Sequence, residues 1–256
     1  MLKLSKSQIA TLLHRIGFND AITVSHQTLK KLHIACVTNI PFETLDIFFK
    51  KRFSLSLPGL YDKIVVNRRG GYCYELNGLF FYLLQGLGFE VSIYSAQLCD
   101  SGGAIIPSSQ HMVLAVKLEH LWLTDVGYGN GFLEPLLLED SPIQKQGNRS
   151  YQCASRNSKY VIEEMRNGVW RPWYVFAKEP KQVDDFEGRN RFHQTSRESV
   201  FFEKRISMIM RGDELIELYG NQLTRTTSSR TFITKIKEEE IPCLLQVEFG
   251  IKLSFG

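Results

Sequence analysis

Arg68-Arg69-Gly70-Gly71-Tyr72-Cys73-Tyr74-Glu75-Leu76-Asn77-Gly78 is the stretch from which the rest of the chain can be read. Two consecutive glycines let the backbone turn tightly and come close to its neighbours. Directly after them Leu76, Leu79, Phe80, Leu83, Leu84 and Leu87 recur at helical spacing before Gly86 and Gly88 break the pattern. The turn therefore delivers Cys73 to the start of an amphipathic helix. A thiol there faces the positive end of the helix dipole and amide N–H groups without an intrahelical partner, and both favour thiolate over thiol. Arg68 and Arg69 would push the same way if they face inward. The same amides can hold the oxyanion of a tetrahedral acyl intermediate. A buried core cysteine behind a structural turn is the competing reading.

Downstream segments decide between the two. After Phe89 the period changes, and FEVSIYSAQL, HMVLAVKL and LWLTDVGYG are short, rich in branched and aromatic residues, and separated by turn formers. A turn near Glu119 and His120 makes the last two an antiparallel hairpin, with His111 at its start and Asp125 at its end, so the two side chains come within reach at one end of the sheet. A carboxylate beside an imidazole fixes the tautomer and stabilises the imidazolium formed when a thiol proton is taken. His14, His26 and His33 fall in predicted amino-terminal helices, and neither His120 nor His193 has an equivalent placement.

Upstream, helices are expected over Ser5 to Phe18 and from Ser25 to just before Pro41, because the residue preceding proline disfavours helical angles. Downstream, KYVIEEM, GVWRPWYVFA, SVFFEKRISMIMRG and DELIELYG read as strands, with a helix around Gln182 to Phe192, a strand SRTFITKI and a short helix at KEEEI. Helices, then strands, then a mixture make the fold class α+β. The expected units are 1–88, helical with the nucleophile; 89–180, a barrel with the histidine and aspartate; and 181–256, mixed α/β.

The 256 residues are 43% hydrophobic and 23% charged, with a net charge of +4. That suffices for a full core and gives a surface that does not call for nucleic acid. Cys36, Cys73, Cys99, Cys153 and Cys243 form no CxxC pair and no Cys/His cluster at zinc spacing, so reduced thiols, no metal and a cytoplasmic setting are expected. The amino terminus lacks a secretory pattern, and no apolar run approaches the roughly 20 residues that span a bilayer, so no membrane partner is expected.

These residues resemble the arylamine N-acetyltransferase family. Arg69-Gly70-Gly71, Cys73 and Glu75 match its Arg-Gly-Gly-x-Cys-x-Glu motif, and Pro41-Phe42-Glu43-Thr44 is similar to Pro-Phe-Glu-Asn with Thr44 in place of Asn. Asp125-Val126-Gly127-Tyr128-Gly129 matches a third element; Asp185-Phe186 through Asn190, Gln194-Thr195-Ser196 and Phe249-Gly250-Ile251 are similar to further ones, with Arg197 where proline is usual. The resemblance implies a cysteine-protease-like core, an N-terminal helical domain, a central β-barrel and a C-terminal α/β lid. It implies a ping-pong reaction in which acetyl-CoA acylates Cys73 and the nitrogen of an arylamine, arylhydroxylamine or hydrazine takes the acetyl group, with His111 as base and Asp125 as its orienter. By position it also makes Glu43 and Arg69 an ion pair bracing the nucleophile loop, Asn77 a hydrogen-bonding neighbour of the triad, Phe42 and Tyr128 aromatic walls for the acceptor ring, and Ser108, in Pro107-Ser108-Ser109-Gln110, a contact for CoA phosphates. A Cys-His-Asp peptidase or transglutaminase-like enzyme, and a weakly active or non-catalytic CoA- or arylamine-binding member, are the alternatives.

Overall fold

The computed structural model describes residues 2–139 and 142–253. Its first layer is helical: α1 (Lys6–Arg15), α2 (His26–Asn39), the short α3 (Leu45–Phe48) and α4 (Leu57–Tyr61), and α5 (Cys73–Gly86). Ser5 starts α1 by accepting from the Gln8 amide at 3.2 Å while the Gln8 side chain accepts from the Ser5 amide at 2.9 Å, a reciprocal cap. Ser25 caps α2 in the same sense through the Thr28 amide. Leu12 and Ile16, at the end of α1, and Leu29, Leu32 and Cys36 of α2 are buried, while Val37 is half-buried. α5 is buried along almost its whole length, as its Leu/Phe-rich sequence demands. Residues 45–66, which show no clear period in the sequence, hold α3, α4 and a π-turn, Asp62–Val66, which carries Lys63.

Two sheets follow. Eight antiparallel strands, β2 (Glu90–Leu98), β3 (His111–Lys117), β4 (Leu121–Thr124), β5 (Leu136–Leu137), β6 (Gln144–Gln146), β7 (Arg149–Arg156), β8 (Lys159–Arg166) and β9 (Val169–Ala177), are ordered β5-β4-β3-β2-β9-β8-β7-β6. The edge strands β5 and β6 are laced by Gln144, whose side chain accepts from the Leu137 amide at 2.7 Å and donates to its carbonyl at 3.2 Å, so the sheet nearly closes as a barrel. The barrel interior is aromatic, with Phe132, Tyr151, Trp173, Tyr174 and Phe176 buried together.

The second sheet joins β1 (Phe42–Glu43) to β10 (Ile206–Arg211), β11 (Glu214–Tyr219), β12 (Gln222–Thr226) and β13 (Thr231–Lys235), in the order β1-β10-β11-β12-β13. An amino-terminal strand thus belongs to a carboxyl-terminal sheet. Thr44, the departure noted in Pro-Phe-Glu-Thr, binds this sheet: its amide donates to the Ile206 carbonyl at 3.1 Å and its hydroxyl accepts from the Ile206 amide at 3.2 Å. Arg197 lies in an exposed turn. The helix expected at Gln182 to Phe192 is a 3-10 turn (Val183–Phe186) followed by α6 (Glu187–Thr195). SVFFEKRISMIMRG becomes strand only from Ile206, and KEEEI forms a 3-10 turn leading into α7 (Ile241–Phe249). That helix was missed because its apolar residues followed a strand-like run; its Pro242 is suited to a helix start, and it buries Ile241, Leu245 and Phe249 against Leu45, Ile209 and Leu218.

Candidate active site

Cys73 is the first residue of α5 and is only 7% exposed. The glycines before it are there for close approach. A β-carbon on Gly70 would fall 2.0 Å from the Pro41 carbonyl oxygen, and one on Gly71 would fall 2.7 Å from the Glu75 β-carbon. The Glu43 amide donates to the Gly71 carbonyl at 2.9 Å, which ties the nucleophile loop to β1. The helix start is capped from within, as Glu75 accepts from the Tyr72 amide at 3.1 Å.

The hairpin delivers the other two groups. Its ladder pairs Lys117 with Leu121 and Leu114 with Thr124, a register that carries Asp125 across from Val113, two residues along the same face from His111. His111 Nε2 lies 2.6 Å from Asp125 Oδ2, and Cys73 acts on the same ring electrostatically. With Nε2 committed to the carboxylate, Nδ1 is the nitrogen left for sulfur. Burial opposes a charge on His111, but the Asp125 carboxylate and Cys73 outweigh it and raise the imidazole to about 10, so the imidazolium is favoured.

Asn77, one turn along α5, takes its expected place and does more than expected. It donates to Asp125 Oδ1 at 2.9 Å and to the Met112 carbonyl at 2.7 Å, and accepts from the Val126 amide at 2.9 Å. Asp125 Oδ1 also accepts from the Gly127 amide at 3.1 Å. One residue passed over from sequence also reaches this group: His33 of α2, whose Nε2 accepts from the Asp125 amide at 3.1 Å. No signal in the helical periodicity separates it from an ordinary buried histidine.

Arg69 and Glu43 form the expected pair, at 2.7 Å, inside a larger cluster. Arg69 also binds Asp46 at 3.1 Å, and Lys63 reaches Glu75 at 2.7 Å, Asp46 at 3.0 Å and Glu43 at 3.8 Å. Burial disfavours ionised Glu75 more than Lys63 favours it, and its carboxyl is raised to about 7. Arg69 is thus engaged by carboxylates and Arg68 is exposed, with φ of 51°; the helix start and His111 are the thiol's immediate electrostatic surroundings instead.

The three residues assigned to ligands lie apart. Tyr128 packs edge-on against His111 with ring centroids 5.4 Å apart, and lines a cleft of about 950 Å³ between barrel residues such as Arg149 and Trp173 and second-sheet residues such as Leu215 and Thr226. Phe42 is buried and lines a small cavity with Asp125, Val126 and Gly129. Ser108 is exposed and lines a separate hollow with Gln97, Lys159, Lys181 and Arg189.

A thiol at a buried helix start, beside an imidazole paired at 2.6 Å with a carboxylate from a neighbouring barrel, is the arrangement of a thiol-protease-like core. The N-acetyltransferase family model matches residues 25–256, and the chain belongs to the arylamine N-acetyltransferase family. Among its relatives, the arylamine N-acetyltransferase of Mycolicibacterium smegmatis is 32% identical over 226 residues, covering 86% of this chain and 82% of that protein. Arylamine N-acetyltransferase 2 of Mus musculus is 27% identical over 273 residues, covering 96% and 94%. The solved arylamine N-acetyltransferase of Salmonella typhimurium superposes with a TM-score of 0.89 at 26% identity, covering 96% of this chain and 92% of that one.

Proposed function

We propose that this enzyme moves an acetyl group from acetyl-CoA to the nitrogen of an arylamine, arylhydroxylamine or hydrazine through an acetyl-Cys73 thioester. The observation that carries the reading is the 2.6 Å contact of His111 Nε2 with Asp125 Oδ2, with Cys73 at the start of α5 acting on the same ring. In the first half-reaction His111 holds the thiol proton as imidazolium, and the Cys73 thiolate attacks the acetyl carbonyl carbon. The tetrahedral oxyanion is received by amides at the start of α5. It collapses by breaking the bond to CoA sulfur, which leaves with the proton from His111. In the second half-reaction the amine nitrogen attacks the thioester carbonyl, neutral His111 takes the nitrogen proton, and the thiolate–imidazolium pair is restored with release of the amide. Asp125 keeps Nε2 protonated throughout and balances the imidazolium charge.

The cleft lined by Tyr128, whose ring packs edge-on against His111, suits an aromatic acceptor. The hollow at Ser108 brings hydroxyls together with Lys159, Lys181 and Arg189, a set suited to the phosphates of CoA. Phe42 lines a small neighbouring cavity that shares Gly131, Leu133 and Met210 with that cleft, and we assign it as an aromatic wall on that side. We assign the units 1–88, 89–180 and 181–256 to nucleophile, base and lid, and place the enzyme in the cytoplasm, where its five free thiols stay reduced.

Intact-mass measurement after incubation with acetyl-CoA tests the reading. An acetyl adduct on Cys73, discharged by an added arylamine or hydrazide, is the expected result. No adduct together with turnover of peptides would replace it with a peptidase or transglutaminase activity, and CoA binding without an adduct would replace it with a binding role.

A further inference from the structure

Asp125 stands one residue beyond the last paired position of β4, Thr124, so no strand neighbour in that ladder receives its amide. Both of its carboxylate oxygens are engaged, Oδ2 by His111 and Oδ1 by Asn77 and Gly127. Asn77 takes the next amide, Val126, and the Asp125 amide itself donates to an imidazole. His33 is fully buried, stacked on Phe132 with ring centroids 5.4 Å apart and edge-on to Phe80 at 6.2 Å. Its Nδ1 lies 2.8 Å from the Leu133 carbonyl and its Nε2 accepts the Asp125 amide.

The two contacts fix one tautomer. A carbonyl can only accept, so the ring hydrogen sits on Nδ1, leaving Nε2 with the lone pair that the amide requires. A protonated ring would have no acceptor to offer. The charged groups acting on the ring are Asp125 from the barrel and Glu134 from the loop carrying Leu133; burial outweighs both and holds His33 neutral down to about 4. We propose that His33 is a positioning residue for acetyl transfer: as a neutral acceptor carried by α2, it anchors the Asp125 backbone past the end of the β3–β4 ladder and thereby sets the angle at which the carboxylate meets His111. The residue makes no contact with the reacting atoms and acts through Asp125.

Two substitutions separate this role from simple core filling. Asn ends at the level of Nδ1, so His33→Asn keeps a donor for Leu133 and loses the acceptor; Gln reaches the level of Nε2, so His33→Gln keeps an acceptor for Asp125 and loses the donor. The rate of Cys73 acetylation by p-nitrophenyl acetate, followed by mass across pH 5–9, reads the effect, with thermal melting of each variant alongside. His33→Asn should acylate at least on the order of tenfold more slowly, the scale of one buried amide left unpaired, with a displaced pH profile. His33→Gln should stay within a few-fold of the parent with the parent's profile, even if both variants melt at similar temperatures. Equal rates for folded His33→Asn and the parent, or a His33→Gln variant as slow as His33→Asn, would overturn the proposal. The inference rests on Cys73 as nucleophile, and the two failures differ: if that reading is wrong, the parent enzyme itself forms no adduct on Cys73.

Discussion

Gly127 lies flat against the nucleophile: a β-carbon built on it would fall 2.7 Å from the Cys73 α-carbon and 2.9 Å from the Cys73 carbonyl oxygen. Two of the partners are backbone atoms of a buried helix start, which have no rotamer to retreat into, and the third, Asn77 Nδ2 at 2.8 Å, is tied to Asp125 and Met112. Gly127→Ala should therefore push the Asp125 loop and α5 apart, costing about 1–3 kcal/mol of stability. Acylation of Cys73 should fall further than this loss of stability explains, because the shift acts along the line joining sulfur, imidazole and carboxylate. Calorimetry and the single-turnover acylation rate check the two parts separately.

Asp125→Asn replaces an acceptor by a group that can present an N–H to His111. The ring then loses the partner that keeps Nε2 protonated, and the thiolate–imidazolium pair loses its balancing charge. A fall in acylation rate on the order of 10²- to 10⁴-fold is expected, with far-ultraviolet circular dichroism unchanged. Near-parental rates would remove the orienting role.

Stability should decline as the solution becomes alkaline. His111 in the folded enzyme titrates at about 10 against 6.5 for an ordinary imidazole, so the folded state holds the proton more tightly. Its contribution is complete below 6.5 and is lost as pH rises through 10. Glu75, raised to about 7 from 4.5, acts in the same direction at lower pH. Melting temperatures measured from pH 6.5 to 10 should fall, and the fall should be shallower in His111→Gln.

Arg69→Met leaves Glu43 and Asp46 buried with Lys63 as the cation still facing them both. Removing one partner of a buried cluster of this kind costs about 3–5 kcal/mol. Thermal unfolding of the variant should begin markedly lower than in the parent, and iodoacetamide should modify Cys73 more readily as the Gly70-Gly71 turn loosens. A melting temperature within a degree of the parent's would show that the cluster contributes nothing net.

The parts legible in the sequence were those governed by local rules. A Gly-Gly turn followed by a 3.6-residue apolar period can only place Cys73 at a helix start, and a hairpin with a short turn brings its two ends together, so His111 and Asp125 met as the pattern required. Asn77 followed from the same arithmetic along α5. Lys63, Asp46 and His33 were not legible, because each acts through tertiary proximity: a π-turn puts Lys63 among carboxylates from three separate segments, and α2 meets the Asp125 loop only once the barrel is built. Ligand contacts were the least readable, since Phe42, Tyr128 and Ser108 line three different hollows whose shapes depend on how the barrel and second sheet pack.

Strand β1 pairs Phe42 with Gly71 on one side and with Met208 on the other. During synthesis the thiol emerges from the ribosome well before Met208 does, so the nascent chain holds Cys73 on a loop that is braced on one side alone. Strand β1 gains its second neighbour only when the late-made sheet docks on it. A premature stop before β10 would accordingly release a chain in which the strand that holds the nucleophile loop keeps an open edge.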